Sequence, residues 1–457
     1  MDRLTSGVPA LDQILSGGFP KNSITIVSGP PGTGKTVLAK GIVFKNAGPD
    51  CRALYVTTLS EPLDKTIRYL QELDFYDEEL LMGSIQHRDL GGGLQARGVP
   101  GLVETVVTLV KEERPSLLVI DSFKAISDMA GSLHEYRSQL FDLARFLTAY
   151  ACTTFWLGEY ATGDHTSPEF GVADGILELV NQKRGTRDER YMRVVKLRGS
   201  TYLPGEHCFR IGRSGVEVFP RVVAPVHPAP FDPDATLLST GMKELDALVH
   251  GGFRRGSCTV VAGPSGVGKT ILALQWLAAA AARGEKGLMV SLQEYPSQLK
   301  FTARGLGIDL DGGAGGRVHL VHMSPVEMLI DEVVFRLLET TDRIGASCLA
   351  LDALGELARA SWDQARYSGF VYSLKQALAS RGVTSVLNYE VVDQREASRL
   401  TGESISYIAD NLIALWYIRG ETLGRAMRLV KARASLHSLA QVPYTIGPGG
   451  LQAQRGS

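Results

Sequence analysis

The hydrophobic positions of this chain form short uninterrupted runs that alternate with longer segments predicted to be helices. Apolar runs at residues 117–120 and 348–351 are each followed by an aspartate, and helices are predicted at 136–150 and 362–380. An apolar run without polar alternation is typical of a strand that is buried on both faces of a parallel sheet. The alternation therefore predicts an α/β fold, with helices covering both faces of a mainly parallel sheet.

Both halves of the chain are predicted to contain the same order of elements. Segments 191–199 and 428–433 are predicted to extend each sheet with antiparallel strands. The glycine-rich stretch 89–98 is predicted to be a loop that precedes a helix at 102–111. Further strands are predicted at residues 23–27, 52–58, 153–157, 257–261, 287–292 and 384–390.

A phosphate-binding motif, G-x-x-x-x-G-K-[ST], occurs twice, at residues 29–36 and 263–270. Glycines let the backbone curl so that its N–H groups face phosphate oxygens, and the following helix adds its positive end. The alternative, two glycine-rich turns without a ligand, is disfavoured because each motif lies between a predicted strand and a predicted helix. The predicted nucleotide-binding residues are Gly29, Gly32, Thr33, Gly34, Lys35, Thr36 and Val37, and Gly263, Gly266, Val267, Gly268, Lys269, Thr270 and Ile271.

The predicted cofactors are ATP and Mg²⁺. Lys35 and Lys269 are expected to reach the β- and γ-phosphates. An aspartate at the carboxyl end of a central strand lies beside the phosphate loop, where it can hold the water shell of Mg²⁺. The alternative is a helix-capping or turn aspartate. The candidate metal residues are Thr36, Asp121, Thr270 and Asp352.

The chain is an internal duplication. Residues 3–36 align with residues 237–270 without a gap, and nearly half of the positions are identical. Residues 221–236 contain four prolines and predict a stiff, extended linker. We therefore expect a first domain at 1–220, this linker, and a second domain at 237–457, each large enough to bury its own core.

Composition narrows the possible partners and the compartment. The net charge is −1, with acidic and basic residues interspersed, so neither a nucleic acid nor a membrane surface is expected as a partner. No apolar run approaches the roughly 20 residues of a membrane span. The five cysteines form no C-x-x-C pair, which favours free thiols in a reducing cytoplasm.

Several of these residues resemble those of a known family. The opening (S/T)-G-x-x-x-L-D at 6–12 and 240–246, the Gly-Gly-Phe before each first strand, and the phosphate loops are similar to those of RecA-like ATPases. Two tandem copies, each with a Lys-x-Arg pair near its end, resemble the KaiC family of circadian-clock ATPases. The similarity covers almost the whole chain, from about residue 4 to about residue 435.

The resemblance implies a homo-hexameric double ring with ATP between neighbouring subunits. It also implies slow ATP hydrolysis and serine/threonine autophosphorylation in the C-terminal ring. Lys196 with Arg198, and Lys431 with Arg433, match the family's pairs that reach the neighbour's phosphates. The alternative for each pair is a solvated basic edge strand.

The resemblance also assigns proton-transfer residues and phosphorylation sites. Glu61 and Glu294 match the second of the family's paired glutamates, whereas Ser60 and Gln293 replace the first. This leaves two alternatives: the base role lies elsewhere, or turnover is very slow. Ser406 matches the phosphorylated serine, with a helix-capping or surface serine as the alternative. Thr401 is a second candidate acceptor. The short C-terminal segment predicts a signalling role with an unidentified protein partner rather than a full oscillator.

Two other function classes are compatible with the sequence. RecA-like proteins also act in DNA repair and recombination, but residues 161–170 contain no Lys or Arg and residues 391–403 mix both charges. Nucleic-acid affinity depends on attraction to phosphates, which these segments do not favour. A nucleotide-gated scaffold with negligible turnover is the third possibility, because both copies lack the first glutamate.

Overall fold

The computed structural model describes residues 2–58, 63–184, 187–224, 236–311, 316–324, 328–360, 364–391, 408–418, 423–433, 438 and 440–454. The chain forms two compact units, Met1–Arg221 and Val222–Ser457. Most of the predicted linker lies outside the described residues, so its bounds stay a prediction.

The first unit contains eleven strands and eight helices within its described residues. In chain order they are β1 (Arg3–Leu4), α1 (Pro9–Ile14), β2 (Phe19–Pro20), β3 (Ile24–Gly29), α2 (Lys35–Asn46), β4 (Ala53–Thr57), α3 (Leu63–Leu70), α4 (Glu78–Gly83), β5 (Ile85–Asp89), α5 (Gly91–Glu113), β6 (Leu117–Asp121), α6 (Phe123–Asp128), α7 (Leu133–Ala149), β7 (Thr153–Glu159), α8 (Pro168–Val172), β8 (Gly175–Arg184), β9 (Arg187–Leu197), β10 (Glu206–Gly212) and β11 (Gly215–Phe219).

The second unit repeats much of this order. Its elements are β12 (Leu237–Leu238), α9 (Lys243–Leu248), β13 (Phe253–Arg254), β14 (Cys258–Gly263), α10 (Lys269–Ala282), β15 (Gly287–Ser291), α11 (Pro296–Gly305), β16 (Val318–His322), α12 (Ile330–Ile344), β17 (Cys348–Asp352), α13 (Leu354–Ala360), α14 (Gln364–Ser380), β18 (Thr384–Glu390), β19 (Asn411–Ile418), β20 (Gly424–Ala432), β21 (Val442–Gly447) and β22 (Gly450–Ala453).

The main sheets of the two units have the same topology. The strand order is β5-β4-β6-β7-β3-β8-β9-β10-β11 in the first and β16-β15-β17-β18-β14-β19-β20-β21-β22 in the second. The first six strands in each order are parallel, and the last three add in antiparallel fashion. This confirms the predicted α/β fold with two tandem RecA-like domains and the predicted antiparallel extensions.

Both faces of each parallel sheet are buried, as the uninterrupted apolar runs predicted. In β6, Leu118 and Ile120 belong to one hydrophobic core and Leu117 and Val119 to the other. Each core is closed by helices, so the strand gains burial on both sides. The phosphate-loop helix α2 packs over one of these faces.

The predicted glycine-rich loop at 89–98 is largely wrong. Helix α5 begins at Gly91, and only Gly98, with φ 63° and ψ −165°, departs from helical geometry inside it. Leu94 is buried in the hydrophobic core, so tertiary packing stabilises helix where glycine disfavours it. The break at Gly98 comes before Pro100, whose ring cannot continue an unbroken helix.

Candidate functional site

Each phosphate motif forms a tight turn between a strand and a helix. Gly34 precedes α2 with φ 97°, and Gly268 precedes α10 with φ 112°. Only glycine adopts this left-handed geometry without strain. A Cβ on Gly34 would also meet the flexible end of the Ile211 side chain, but the left-handed backbone is the main reason why the motif needs glycine here.

The motif lysines fold over their own loops. Lys35 Nζ donates to the carbonyl oxygens of Gly29 and Pro30 at 2.8 and 2.9 Å. Lys269 makes the equivalent bonds to Gly263 and Pro264, both at 2.8 Å. Both ammonium groups are buried, and burial lowers the pKa of each lysine below its ordinary value. These two cations therefore stand at the loops without a carboxylate hydrogen-bond partner among the described residues.

The predicted metal residues come together in both domains. Thr36 Oγ1 donates to Asp121 Oδ2 at 2.8 Å, and Thr270 Oγ1 donates to Asp352 Oδ2 at 2.5 Å. A hydroxyl and a carboxylate beside a phosphate loop are the oxygen ligands that suit Mg²⁺ with its retained waters.

In the first domain, a tyrosine also contacts the predicted metal residue Asp121. Tyr55, buried in β4, donates from its hydroxyl to Asp121 Oδ2 at 2.8 Å. Its ring stacks on His87 at 5.0 Å, and Lys40 Nζ lies 5.6 Å from the ring centroid. In the second domain Met289 takes the strand position of Tyr55, so Asp352 lacks this partner.

Sequence reasoning missed Glu159 and Glu390 as members of the site. Glu159 pairs with Gly29 and Glu390 pairs with Gly263, so each carboxylate lies where its phosphate loop begins. Each is the largest electrostatic influence that opposes the lowered pKa of the motif lysine. An acidic residue at the end of the same strand in both halves was the signal that could have identified them.

The Lys-x-Arg pairs lie far from the phosphate loop of their own domain. Leu197 pairs with Gly175, which pairs with Thr25 near the start of β3, whereas the loop follows the end of β3. Arg198 therefore lies at the opposite edge of the sheet, where Nη1 is 3.6 Å from Asp174 Oδ1.

The second Lys-x-Arg pair occupies the equivalent edge. Arg433 Nη1 lies 4.0 Å from Asp410 Oδ1, which Lys375 Nζ contacts at 2.8 Å. The pKa of Lys431 and that of Lys196 are lowered by burial and by the adjacent arginine. The structure does not bring either pair to its own motif lysine.

Glu294 lies at the metal-side edge of the second sheet. Its backbone N–H donates to Ser291 Oγ at 2.9 Å, and the Gln293 N–H donates to the same oxygen at 3.3 Å. Burial, and then the charge of Asp352, raise the pKa of Glu294. Glu294 Oε2 is buried without a hydrogen-bond partner among the described residues. Glu61, Ser60, Thr401 and Ser406 lie outside the described residues.

Comparison with known proteins decides the family. The sequence matches the family described as "ATPase: KaiC" twice, over residues 4–223 and 238–456. The chain belongs to the KaiC family of ATPases. This confirms the family resemblance and two ATP-binding ATPase domains, and it does not support the DNA-recombination alternative.

Curated KaiC relatives cover nearly the whole chain. The circadian clock oscillator protein KaiC of Picosynechococcus sp. is 28% identical over 98% of this chain and 89% of its own length. KaiC of Rippkaea orientalis is 26% identical over 99% and 88%, and KaiC 1 of Synechocystis sp. is 26% identical over 98% and 88%. Among the described residues, no helix is both long and apolar enough to cross a membrane.

Proposed function

We propose that this chain assembles into a cytoplasmic homo-hexameric ring in which both KaiC domains bind Mg²⁺·ATP at the boundary between subunits and hydrolyse it slowly. One observation carries the proposal: within a domain, Lys35 lies at the phosphate loop and Arg198 at the opposite edge of the sheet. A site with both cations therefore needs the Lys-x-Arg pair of another copy. Head-to-tail contacts of this kind form rings when they close.

The residues at each loop suit Mg²⁺·ATP. Backbone N–H groups of the loop and the start of α2 or α10 favour phosphate oxygens, and the motif lysine contributes a buried positive charge. Thr36 with Asp121, and Thr270 with Asp352, would hold Mg²⁺ and its waters. The bound nucleotide supplies the γ-phosphoryl group on which the hydrolysis acts.

The chain's own groups divide the work of hydrolysis. In the second domain, Glu294 accepts the proton of the attacking water, and its raised pKa favours that role. In the first domain we assign the same role to Glu61. Lys196 with Arg198, and Lys431 with Arg433, of the adjacent subunit neutralise the charge that develops on the phosphoryl oxygens.

We assign autokinase activity to the second domain, with Ser406 as acceptor and Thr401 as the second candidate. Phosphate adds negative charge at a subunit boundary and would change ring packing, which suits signalling to a protein partner. The named relatives are circadian clock oscillator proteins. For this chain we propose a signalling role with an unidentified protein partner rather than that of a full oscillator.

Two measurements test the proposal. Native mass spectrometry should show a hexamer with ATP and a smaller particle without it, whereas a monomer under both conditions would overturn the ring. Incubation with γ-³²P-ATP should label the wild-type chain and not Ser406→Ala. Absence of label in the wild type would remove the autokinase assignment and leave the ATPase intact.

A nucleotide-gated scaffold is the second candidate function. It is favoured by Ser60 and Gln293, which stand where the resemblance places the family's first glutamate. The steady-state rate of ADP release distinguishes the two functions. For a hydrolysing ring, the wild-type rate should clearly exceed that of the Lys35→Ala/Lys269→Ala double variant. Equal rates, with ATP still bound by the wild type, would favour the scaffold.

A further inference from the structure

Asn388 is a buried polar residue whose side-chain amide makes no hydrogen bond within the described part of the chain. It lies in the central strand β18 with an exposed fraction of 0%. Neither Oδ1 nor Nδ2 has a hydrogen-bond partner among the described residues. Burying an amide in this way costs free energy that an apolar side chain of similar size would not. The residue therefore needs an explanation other than packing.

The strand register places this side chain on the same face of the sheet as the metal-side aspartate. Leu351 of β17 pairs with Leu387 of β18, so the next residues, Asp352 and Asn388, lie side by side. Side chains alternate along a strand, and Asp352 points to the α10 face, where it accepts from Thr270. Asn388 points to that face too, as does its other strand neighbour, Val261.

The first domain provides the matched comparison. Asp121 pairs with Leu157 there, so Leu157 occupies the position of Asn388. It is likewise 0% exposed and packs in the hydrophobic core below α2. A leucine satisfies the packing of this position in the same fold. The amide in the second domain is therefore an addition that packing does not require.

We propose that Asn388 is a nucleotide-site residue of the second domain, whose amide hydrogen-bonds the hydration layer of Mg²⁺·ATP beside Asp352. The inference rests on the proposed function, because the ligand is the nucleotide assigned to that loop. Polar groups on this face converge: Lys269 and Thr270 begin α10, and Glu390 follows two residues after Asn388 on the same side of β18. An amide can both donate to and accept from water, which suits a hydrated cation. The first domain, with Leu157, binds without this contact.

The test measures binding and stability rather than turnover. A fluorescent ATP analogue is titrated into the full chain carrying Lys35→Ala, so that the second domain dominates the signal, with Mg²⁺ and with EDTA. Asn388→Leu should weaken the Mg²⁺-dependent affinity by about tenfold and change the EDTA affinity by less than about twofold. Without nucleotide, the thermal unfolding midpoint of Asn388→Leu should equal or exceed that of its parent chain, because the substitution removes an unsatisfied buried amide.

The reciprocal variant and a smaller substitution provide the controls. Leu157→Asn in an otherwise wild-type chain should lower the thermal midpoint, since it buries an amide in an apolar core. Asn388→Ala replaces the leucine variant if that chain does not fold. An unchanged Mg²⁺-dependent affinity, or an equal loss with Mg²⁺ and EDTA, would overturn the inference. If neither the Lys35→Ala chain with Asn388 intact nor the wild-type chain binds the analogue, the proposed function is overturned instead.

Discussion

The side-chain amide of Gln293 donates to Glu356 Oε1 at 2.9 Å. Glu356 lies in α13, four residues after Asp352. In the first domain the residue four positions after Asp121 is Ala125, which has no carboxylate to accept such a bond. Among the described residues, this contact therefore has no counterpart in the first domain. A carboxylate acceptor orients the amide so that Gln293 Oε1 points away from Glu356, where it can accept from water.

We expect Glu356→Gln to lower kcat for ATP hydrolysis by the second domain about threefold to tenfold, because a charge-assisted hydrogen bond is lost. Affinity for ATP should change little, since the orientation of water and not nucleotide binding is affected. The measurement is steady-state hydrolysis in a Lys35→Ala background, together with analogue binding. Glu339→Gln, an exposed change of the same kind in α12, is the matched control.

A swapped pair separates orientation of the amide from simple folding effects. Gln293→Glu alone places two carboxylates in contact, which is unfavourable. The double variant Gln293→Glu/Glu356→Gln restores a hydrogen bond with the carboxylate at position 293. We expect the double variant to hydrolyse ATP faster than either single variant. Equal rates for wild type and Glu356→Gln would show that this contact has no part in turnover.

Subunit mixing tests whether Arg198 acts on a neighbouring copy. In a Lys269→Ala background, Lys35→Ala and Arg198→Ala subunits should each be inactive alone. Random mixing in equal amounts should create intact boundaries at about a quarter of the sites, because one subunit supplies the loop and the next supplies the arginine. Recovery of about a quarter of the first-domain activity is expected. Failure to recover any activity in a co-assembled particle would contradict the arrangement.

Tyr55→Phe tests the tyrosine that holds Asp121. Removing the hydroxyl leaves the buried side of the carboxylate with one fewer donor, and we expect about 1–2 kcal/mol loss of unfolding free energy. The Mg²⁺-dependent nucleotide affinity of the first domain should fall several-fold. The affinity of the second domain should not change, because Met289 occupies the position of Tyr55 there. Urea unfolding and analogue titration measure the two effects. Tyr150→Phe, on a half-exposed ring, should change neither.

His87 predicts a pH-dependent stability of the first domain. Burial, and then the charge of Lys40, lower the pKa of His87 from 6.5 to about 4. The unfolded chain therefore binds the proton more tightly, so stability is full above pH 6.5 and falls as the pH drops toward 4. Between pH 7 and pH 5 the expected loss is about 2 kcal/mol.

His87→Gln should remove that part of the pH dependence. Urea unfolding at pH 7 and pH 5 measures it as the difference between wild type and variant, which cancels the other titrating groups. Parallel pH profiles for the two chains would show that His87 is protonated equally in the folded and unfolded states.

Much of the fold was readable from local pattern. The runs ending in Asp121 and Asp352 predicted central strands, because a strand buried on both faces of a parallel sheet is typically an uninterrupted apolar run. The phosphate motifs were equally clear, since glycine spacing and the adjoining strand and helix lie within one short segment. The stretch 89–98 failed because burial of Leu94 outweighs the helix-breaking tendency of glycine.

The sequence by itself determined the duplication, the two phosphate loops with their lysines, and the family to which both halves belong, because these depend on residues that are neighbours along the chain. Only the tertiary structure decided that Glu159 and Glu390 stand at the loops, that Asn388 lies beside Asp352, and that Arg198 faces away from its own loop. Those relationships depend on which strands are adjacent and in what register. Spacing along the chain does not encode them, since each joins residues from strands that are far apart in sequence.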